Sequence, residues 1–287
     1  MINKLVIFGV GLIGGSCALA LREAGAVREI VGVGRSWENL SAALGTYVID
    51  QAATDVAGAV KGADMVLLAV PVAQMGPIMA QIAPHLGTGT IVTDVGSTKQ
   101  DVAAIARLHL GAHLPRFVPG HPIAGAEQSG VKAARGDLFR DKRVVLTPLA
   151  ETDAVALAAV RAMWSTCGAD VAEMAPQHHD AIFAAVSHLP HLLAFALVDE
   201  VAARSNAGEL FQYAASGFRD FTRIAGSSPE MWRDICLANQ DALLAELDAY
   251  QARLALLRTW LAAGDGAALE ASFDRARAAR RSQLGGS

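Results

Sequence analysis

Apolar and polar positions follow two different patterns along the chain. Over residues 1–173, short apolar runs alternate with longer stretches of helical period. Runs at 5–8, 29–34, 65–70, 90–94, 116–118, 143–147 and 169–172 predict strands. Helices are expected from about residue 11 to the breaker Gly25, over 36–44, over 72–83, from about 98, and over 153–165. Met65-Val66-Leu67-Leu68-Ala69-Val70 is apolar without interruption, as in strands covered by helices on both faces. This alternation argues for an α/β fold with a doubly wound parallel sheet. From Pro176 onward the strand pattern stops. Ala/Leu-rich stretches at 177–204, 207–216, 229–262 and 265–280 predict an all-helical second half.

The first junction between strand and helix carries chemistry. Gly9-Val10-Gly11-Leu12-Ile13-Gly14 spells G-x-G-x-x-G directly after a predicted strand and at the opening of a helix. There Gly9 allows a tight turn, Gly11 lets backbone approach a pyrophosphate, and Gly14 lets the helix pack closely on the strand. The free N–H groups and dipole of the helix start favour the phosphates. Gly9, Gly11, Leu12, Ile13 and Gly14 are therefore candidate cofactor-binding residues. Residues 1–173 read as a Rossmann-type dinucleotide-binding domain and 174–287 as a helical substrate and dimerisation domain, with substrate expected in the cleft between them.

The end of the second strand bears on which dinucleotide is used. An NAD enzyme normally places an acid about 20 residues beyond the glycine loop, on the ribose 2′-hydroxyl. Here Gly34, Arg35 and Ser36 stand there, and the first acid is Glu38. Arg35 can pair with a 2′-phosphate, and Ser36, also a plausible cap of the next helix, can donate to it. NADP is the preferred cofactor and NAD the alternative.

Composition narrows the class. A chain of 287 residues, 53% hydrophobic and 18% charged, can bury two cores and is not disordered. A net charge of −4 argues against nucleic acid and anionic membrane surfaces. Lys4, the apolar run after it and Ala18-Leu19-Ala20 imitate a signal peptide, but the run contains the glycine loop, and its removal would delete a central strand. No apolar stretch is expected to reach transmembrane length without a charge or breaker. Cys17, Cys167 and Cys236 are scattered and read as reduced thiols of a cytoplasmic protein. The surplus of apolar helix after Met174 suggests a homodimer.

Three further stretches are polar where an oxidoreductase needs polarity. In Asp94-Val95-Gly96-Ser97-Thr98-Lys99, Ser97 can donate to a substrate hydroxyl or the nicotinamide amide, unless Ser97 or Thr98 only caps the following helix. In Gly120-His121-Pro122-Ile123-Ala124-Gly125, followed by Glu127, Ser129 and Gly130, His121 is expected in a loop directly after a strand. A histidine at the rim of such a sheet can take a proton near neutral pH, the competing role being a local structural bond. Ser187-His188-Leu189-Pro190-His191 follows His178, His179 and Asp180, and the spacing matches no metal-ligand pattern, so no metal is expected. In 216–225, Arg219 reads as the partner of Asp220, whereas Arg223 has non-acidic side chains around it and is the candidate anchor for a substrate carboxylate.

Taken together, these motifs resemble the prephenate/arogenate (cyclohexadienyl) dehydrogenases of tyrosine biosynthesis. They are G-V-G-L-I-G-G at 9–15, D-V-G-S-T-K at 94–99, G-H-P-I-A-G-x-E-x-S-G at 120–130, H-D-x-I-x-A-x-V-S-H-L-P-H at 179–191, and G-F-R-D-F-T-R-I-A at 217–225 with Met231-Trp232 after it. The resemblance covers nearly the whole chain. It implies oxidative decarboxylation of prephenate or arogenate to 4-hydroxyphenylpyruvate or tyrosine, with a nicotinamide cofactor and a helical dimerisation domain. It also implies His121 as the catalytic base, Ser97 beside the substrate hydroxyl and nicotinamide, His188 in the substrate pocket and Arg223 on the substrate carboxylate. Some relatives carry a chorismate mutase or ACT domain; this sequence is expected to hold neither. Two alternatives remain at this stage: another NADP-dependent oxidoreductase with a Rossmann domain and a helical dimer, or a dinucleotide-sensing module without catalysis.

Overall fold

The computed structural model describes residues 1–126 and 128–284. They form two compact units, Met1–Gln240 and one that begins at Asp241. The division by compactness thus falls later than the change from mixed to helical pattern at 173/174.

The larger unit is built on a parallel sheet of β1 (Ile2–Phe8), β2 (Val27–Val33), β3 (Gln51–Ala53), β4 (Met65–Leu68), β5 (Ile91–Asp94) and β6 (Phe117–Val118). Its order is β3-β2-β1-β4-β5-β6. The chain winds one way from β1 to β3 and the other way from β4 to β6. The crevice at the carboxyl ends of β1 and β4 is therefore the switch point where such sheets bind ligands. The connecting helices are α1 (Leu12–Glu23), α2 (Trp37–Gly45), α3 (Val56–Val60), α4 (Val72–Ile82) and α5 (Gln100–His109). Alternate β1 residues serve opposite cores: Leu5 and Ile7 share one with Cys17, Leu21 and Trp164, and Val6 and Phe8 share the other with Met75, Met79 and Val102. Burial of each large side chain contributes about 1.5–3 kcal/mol, which explains why the central strands carry no polar alternation.

The later strands do not join this sheet. β7 (Gly120–Pro122), β8 (Arg143–Leu146) and β9 (Asp170–Glu173) form a separate sheet, antiparallel between β7 and β8 and parallel between β8 and β9. Helix α6 (Ala154–Thr166) links β8 to β9. Their strand–helix–strand rhythm alone reads as a continuation of the first sheet. The break comes at Pro119, which has no N–H to extend β6 and whose carbonyl instead accepts from Thr147 N at 2.9 Å. His121 accordingly lies on strand β7, paired with Val145, and not in a loop.

The helical half begins with α7 (Pro176–Phe183), a π-turn at Ala184–His188, and α8 (Leu189–Ala202). Pro190 accounts for the π-turn, because it cannot donate to the carbonyl one turn back and its ring crowds that carbonyl. α9 (Ala207–Gln212) stops short of the predicted 216, α10 (Ser216–Thr222) adds a turn the pattern did not predict, and α11 (Pro229–Ala238) ends before Asn239. The smaller unit holds α12 (Gln240–Ala263) and α13 (Gly266–Leu284).

The stretch 176–202 is long enough to cross a membrane, and an 18-residue window within it has a mean hydropathy of 1.9, but the breaker Pro190 falls inside that window, in line with the sequence expectation. Its buried His179, Asp180 and His188 hydrogen-bond into the sheet domain and α11's end, as a domain helix does and a lipid-facing one does not.

Candidate active site

The glycine loop sits at the switch point. Gly9 has φ +91°, and a Cβ there would meet the Ala69 carbonyl oxygen at 2.2 Å, so the turn after β1 requires glycine. A Cβ on Gly14 would meet the Gly9 carbonyl oxygen at 2.4 Å and Ile7 Cγ2 at 2.9 Å. Gly11 differs: among the described residues a Cβ there would meet nothing within 4 Å. It is the N-cap of α1 and gives no side-chain capping bond, which leaves the first amides of the helix, those of Leu12, Ile13 and Gly14, without a side-chain cap. Open space, uncapped amides and a positive dipole end fit a pyrophosphate. Ser36 caps α2, accepting from Asn39 N at 3.2 Å, and Asn39 in turn ties the loop to α2 by donating to the Val10 carbonyl at 2.7 Å. Arg35 is exposed on the bend before that helix.

At the ends of β5 and β7 a polar network is buried. Lys99 Nζ pairs with Asp94 and donates to the Gly120 carbonyl at 2.7 Å, both charged side chains being fully buried. Asp94 also accepts from Gly96 N at 2.7 Å and Gly120 N at 3.2 Å. This pair locks the 94–99 loop to β7, the strand that carries His121.

His121 Nδ1 lies 2.9 Å from His179 Nε2, and His179 Nδ1 lies 2.8 Å from Asp180 Oδ1. Asp180 accepts from Lys99 N at 2.9 Å and Gln100 N at 2.8 Å. It thereby supplies the cap of α5 that the alternative reading gave to Ser97 or Thr98; residue 180 lies 81 positions from Lys99. Burial opposes charge on Asp180, but the bonds from His179 and the two amides outweigh it and hold the carboxyl below its ordinary value. Burial pushes His121 well below 6.5, and the neighbouring His179 imidazole, the Lys99 cation and the His188 imidazole disfavour its protonation further. His121 is therefore neutral at neutral pH and able to accept a proton. Phe183 packs against it with ring centroids 4.9 Å apart.

His188, on the π-turn, is fully buried, and burial lowers its pKa to about 4. Asn239 Nδ2 donates to the Asp180 carbonyl at 2.8 Å and lies 3.1 Å from His188 Nδ1. With the amide donating, Nδ1 accepts and Nε2 carries the proton. That N–H is buried with no aligned acceptor among the described residues, although the Ser97 backbone favours its protonation. An N–H of this kind is suited to a substrate oxygen. His188 also lies edge-on to Trp232, which stacks on His191 at 3.7 Å, and Arg223 acts electrostatically on His191. The structure thus brings Ser97, His121 and His188 into one cluster and places Arg223 beside its His191 end. Arg219 donates to the Ala214 carbonyl at 3.1 Å in place of the ion pair expected with Asp220. Glu127 lies outside the described residues. Asp94, Lys99, His179, Asp180 and Asn239 also belong to the cluster, and the sequence assigned none of them a role.

Two sequence profiles match the chain: prephenate dehydrogenase, nucleotide-binding domain, over residues 17–173, and prephenate dehydrogenase, dimerization domain, over 175–275. The chain belongs to the prephenate dehydrogenase family. Within that family it is 38% identical over 280 residues to the cyclohexadienyl dehydrogenase of Zymomonas mobilis, covering 97% of this chain and 95% of that one. The crystal structure of prephenate dehydrogenase from A. aeolicus, in complex with hydroxyphenyl propionate and NAD+, matches with a TM-score of 0.92 at 36% identity, over 98% of each chain. The Synechocystis arogenate dehydrogenase matches with a TM-score of 0.81 at 31% identity, over 97% of this chain and 99% of that one.

Proposed function

We propose that the chain carries out the oxidative decarboxylation of prephenate or arogenate, giving 4-hydroxyphenylpyruvate or tyrosine, with reduction of NADP+ or NAD+. The observation that carries this reading is the neutral, half-buried His121 at the end of a polar network, in a fold whose switch point fits a pyrophosphate. Bound nicotinamide supplies the two-electron acceptor. His121 takes the proton of the ring hydroxyl, and general-base help of this kind is worth about 10²–10⁴ in rate. Ser97 and the buried N–H of His188 orient the ring oxygen. Arg223 pairs with a substrate carboxylate. The network excludes water from the far side of His121 and holds its ring in place.

NADP is the cofactor this reading favours. The strand end at Gly34-Arg35-Ser36 carries no acid to repel a 2′-phosphate. Ser36 and Lys132 line one cleft of about 220 Å³, with Glu38 as its acidic member. A Cβ on Gly34 would make only ordinary contact, 3.5 Å from Leu40 Cδ2, so Gly34→Asp is sterically admissible. Arg35→Ala should raise KM for NADP and leave that for NAD nearly unchanged, while Gly34→Asp should move preference toward NAD. Equal kcat/KM for the two cofactors in the wild type contradicts the reading.

Two further parts of the reading concern assembly and place. Residues 1–173 bind the dinucleotide, and 174–287 complete the substrate pocket and form a homodimer. The protein works in the cytoplasm on a small-molecule substrate, without nucleic acid or membrane. The activity is tested by incubating the purified protein with prephenate and with arogenate, with each cofactor, and measuring reduced cofactor and CO2 together. One CO2 per reduced cofactor supports it, and no reduction with either substrate overturns it.

A further inference from the structure

Sequence and resemblance left His179 and Asp180 without a part in the chemistry, yet both side chains are fully buried in contact with the candidate base. Their hydrogen bonds determine where the protons lie. The amides of Lys99 and Gln100 can only donate, so Asp180 receives both as a carboxylate at the N-terminus of α5, where the helix dipole favours negative charge. A carboxylate cannot donate, so the contact of 2.8 Å between His179 Nδ1 and Asp180 Oδ1 places a proton on His179 Nδ1. Neutral His179 then offers a lone pair at Nε2. Across the 2.9 Å contact, the donor must be His121 Nδ1–H. Nε2 of His121 is left without a proton and, among the described residues, without a protein partner.

We infer that His179 and Asp180 are positioning residues that hold His121 in its Nδ1-protonated tautomer, leaving Nε2 as the atom that accepts the substrate proton. The inference rests on the reading of His121 as the base. The substrate hydroxyl proton passes to His121 Nε2, and the Nδ1 proton stays on His121, bonded to His179. Asp180 remains ionised throughout, and no proton travels along the row. A fixed tautomer is needed because a neutral imidazole with its proton on Nε2 has no lone pair to offer there. Loss of the correct tautomer through an Asp-to-Asn change in a serine protease triad lowers kcat by about 10⁴. The other charged or titratable groups around His121 do not set its tautomer: Lys99 is committed to Asp94 and the Gly120 carbonyl, and His188 to Asn239. Phe183 contributes a ring face to both His121 and His179 and no hydrogen bond.

The test joins a spectroscopic readout to a pair of variants. In ¹⁵N-labelled wild-type protein at neutral pH, ring nitrogen shifts should show His121 and His179 both protonated at Nδ1 alone. His179→Leu removes the acceptor, and should lower kcat by about 10²–10³-fold with substrate KM within roughly threefold. His179→Gln puts an amide oxygen within reach of His121 Nδ1, and should keep kcat within about tenfold of wild type. A wild-type His121 protonated at Nε2 overturns the inference, as does a His179→Leu enzyme with wild-type kcat. The ring shifts are read without turnover, so they stand if the base reading fails. That reading fails separately, if His121→Asn keeps its activity.

Discussion

Replacing Gly11 by alanine separates folding from cofactor binding. Gly11 has φ −105° and ψ −152°, a conformation alanine adopts without strain. Its Cβ would meet no atom of the described residues within 4 Å. Stability should hold or rise, since such a substitution restricts the unfolded chain by about 0.4–1 kcal/mol. The added methyl instead occupies the space through which a pyrophosphate reaches the amides of α1. Losing one charge-assisted hydrogen bond there costs about 1.5–3 kcal/mol, which raises the dinucleotide Kd roughly 10- to 100-fold. Gly14→Ala should do the reverse in the melt. Its Cβ would lie 2.4 Å from the Gly9 carbonyl oxygen, a backbone atom that cannot yield cheaply, and overpacking of this kind costs about 1–3 kcal/mol or more. Thermal melts and fluorescence titration with NADP+ and NAD+ on the two variants read both effects. Wild-type affinity in Gly11→Ala would refute the phosphate cradle, and a wild-type melt in Gly14→Ala would refute the packing argument.

Arg223→Ala should raise substrate KM by about one to two decades and leave dinucleotide affinity unchanged; an unaltered KM together with lost stability makes Arg223 structural. Lys99→Met leaves the Asp94 carboxylate buried without its cation, and should cost about 3–5 kcal/mol in a urea titration. A cost below about 1 kcal/mol would show that the buried pair does not hold the 94–99 loop to β7. Leu254, Leu256, Leu261 and Phe273 on α12 and α13 are exposed, as are Val186 and Leu237 in the larger unit. Sedimentation at micromolar concentration should therefore show a dimer, and a monomer contradicts the expectation.

What the sequence revealed and what it hid divide along a physical line. The glycine loop, the buried strands and the Ser36 cap are set by neighbours within a few residues, and each is legible locally. The departure of β7, β8 and β9 into a second sheet is not, because a strand's partner is a tertiary choice and both arrangements share one alternation. His121 was legible as a residue type in the right motif, but its surroundings were not. His179 lies 58 positions from it, and Asn239 lies 51 from His188. Asp180 looks like one more helix-surface acid until α7 is packed against the start of α5. The π-turn that presents His188 left only Pro190 as a trace. Its displacement of the ring by part of a turn cannot be read from helical period.

The role of His121 as the base is tested most directly by the pH dependence of kcat/KM in the wild type and in His121→Asn. Burial, with the neighbouring histidines and the Lys99 cation, holds His121 neutral down to a pH well below 6.5, so its basic form persists across the neutral range. The wild-type profile should be level through neutral pH and fall only on the acid side, below 6.5, as the base becomes protonated. His121→Asn should lie about 10²–10⁴-fold lower and lose that acid limb. An asparagine variant that keeps both the rate and the limb would contradict the claim that His121 takes the substrate proton.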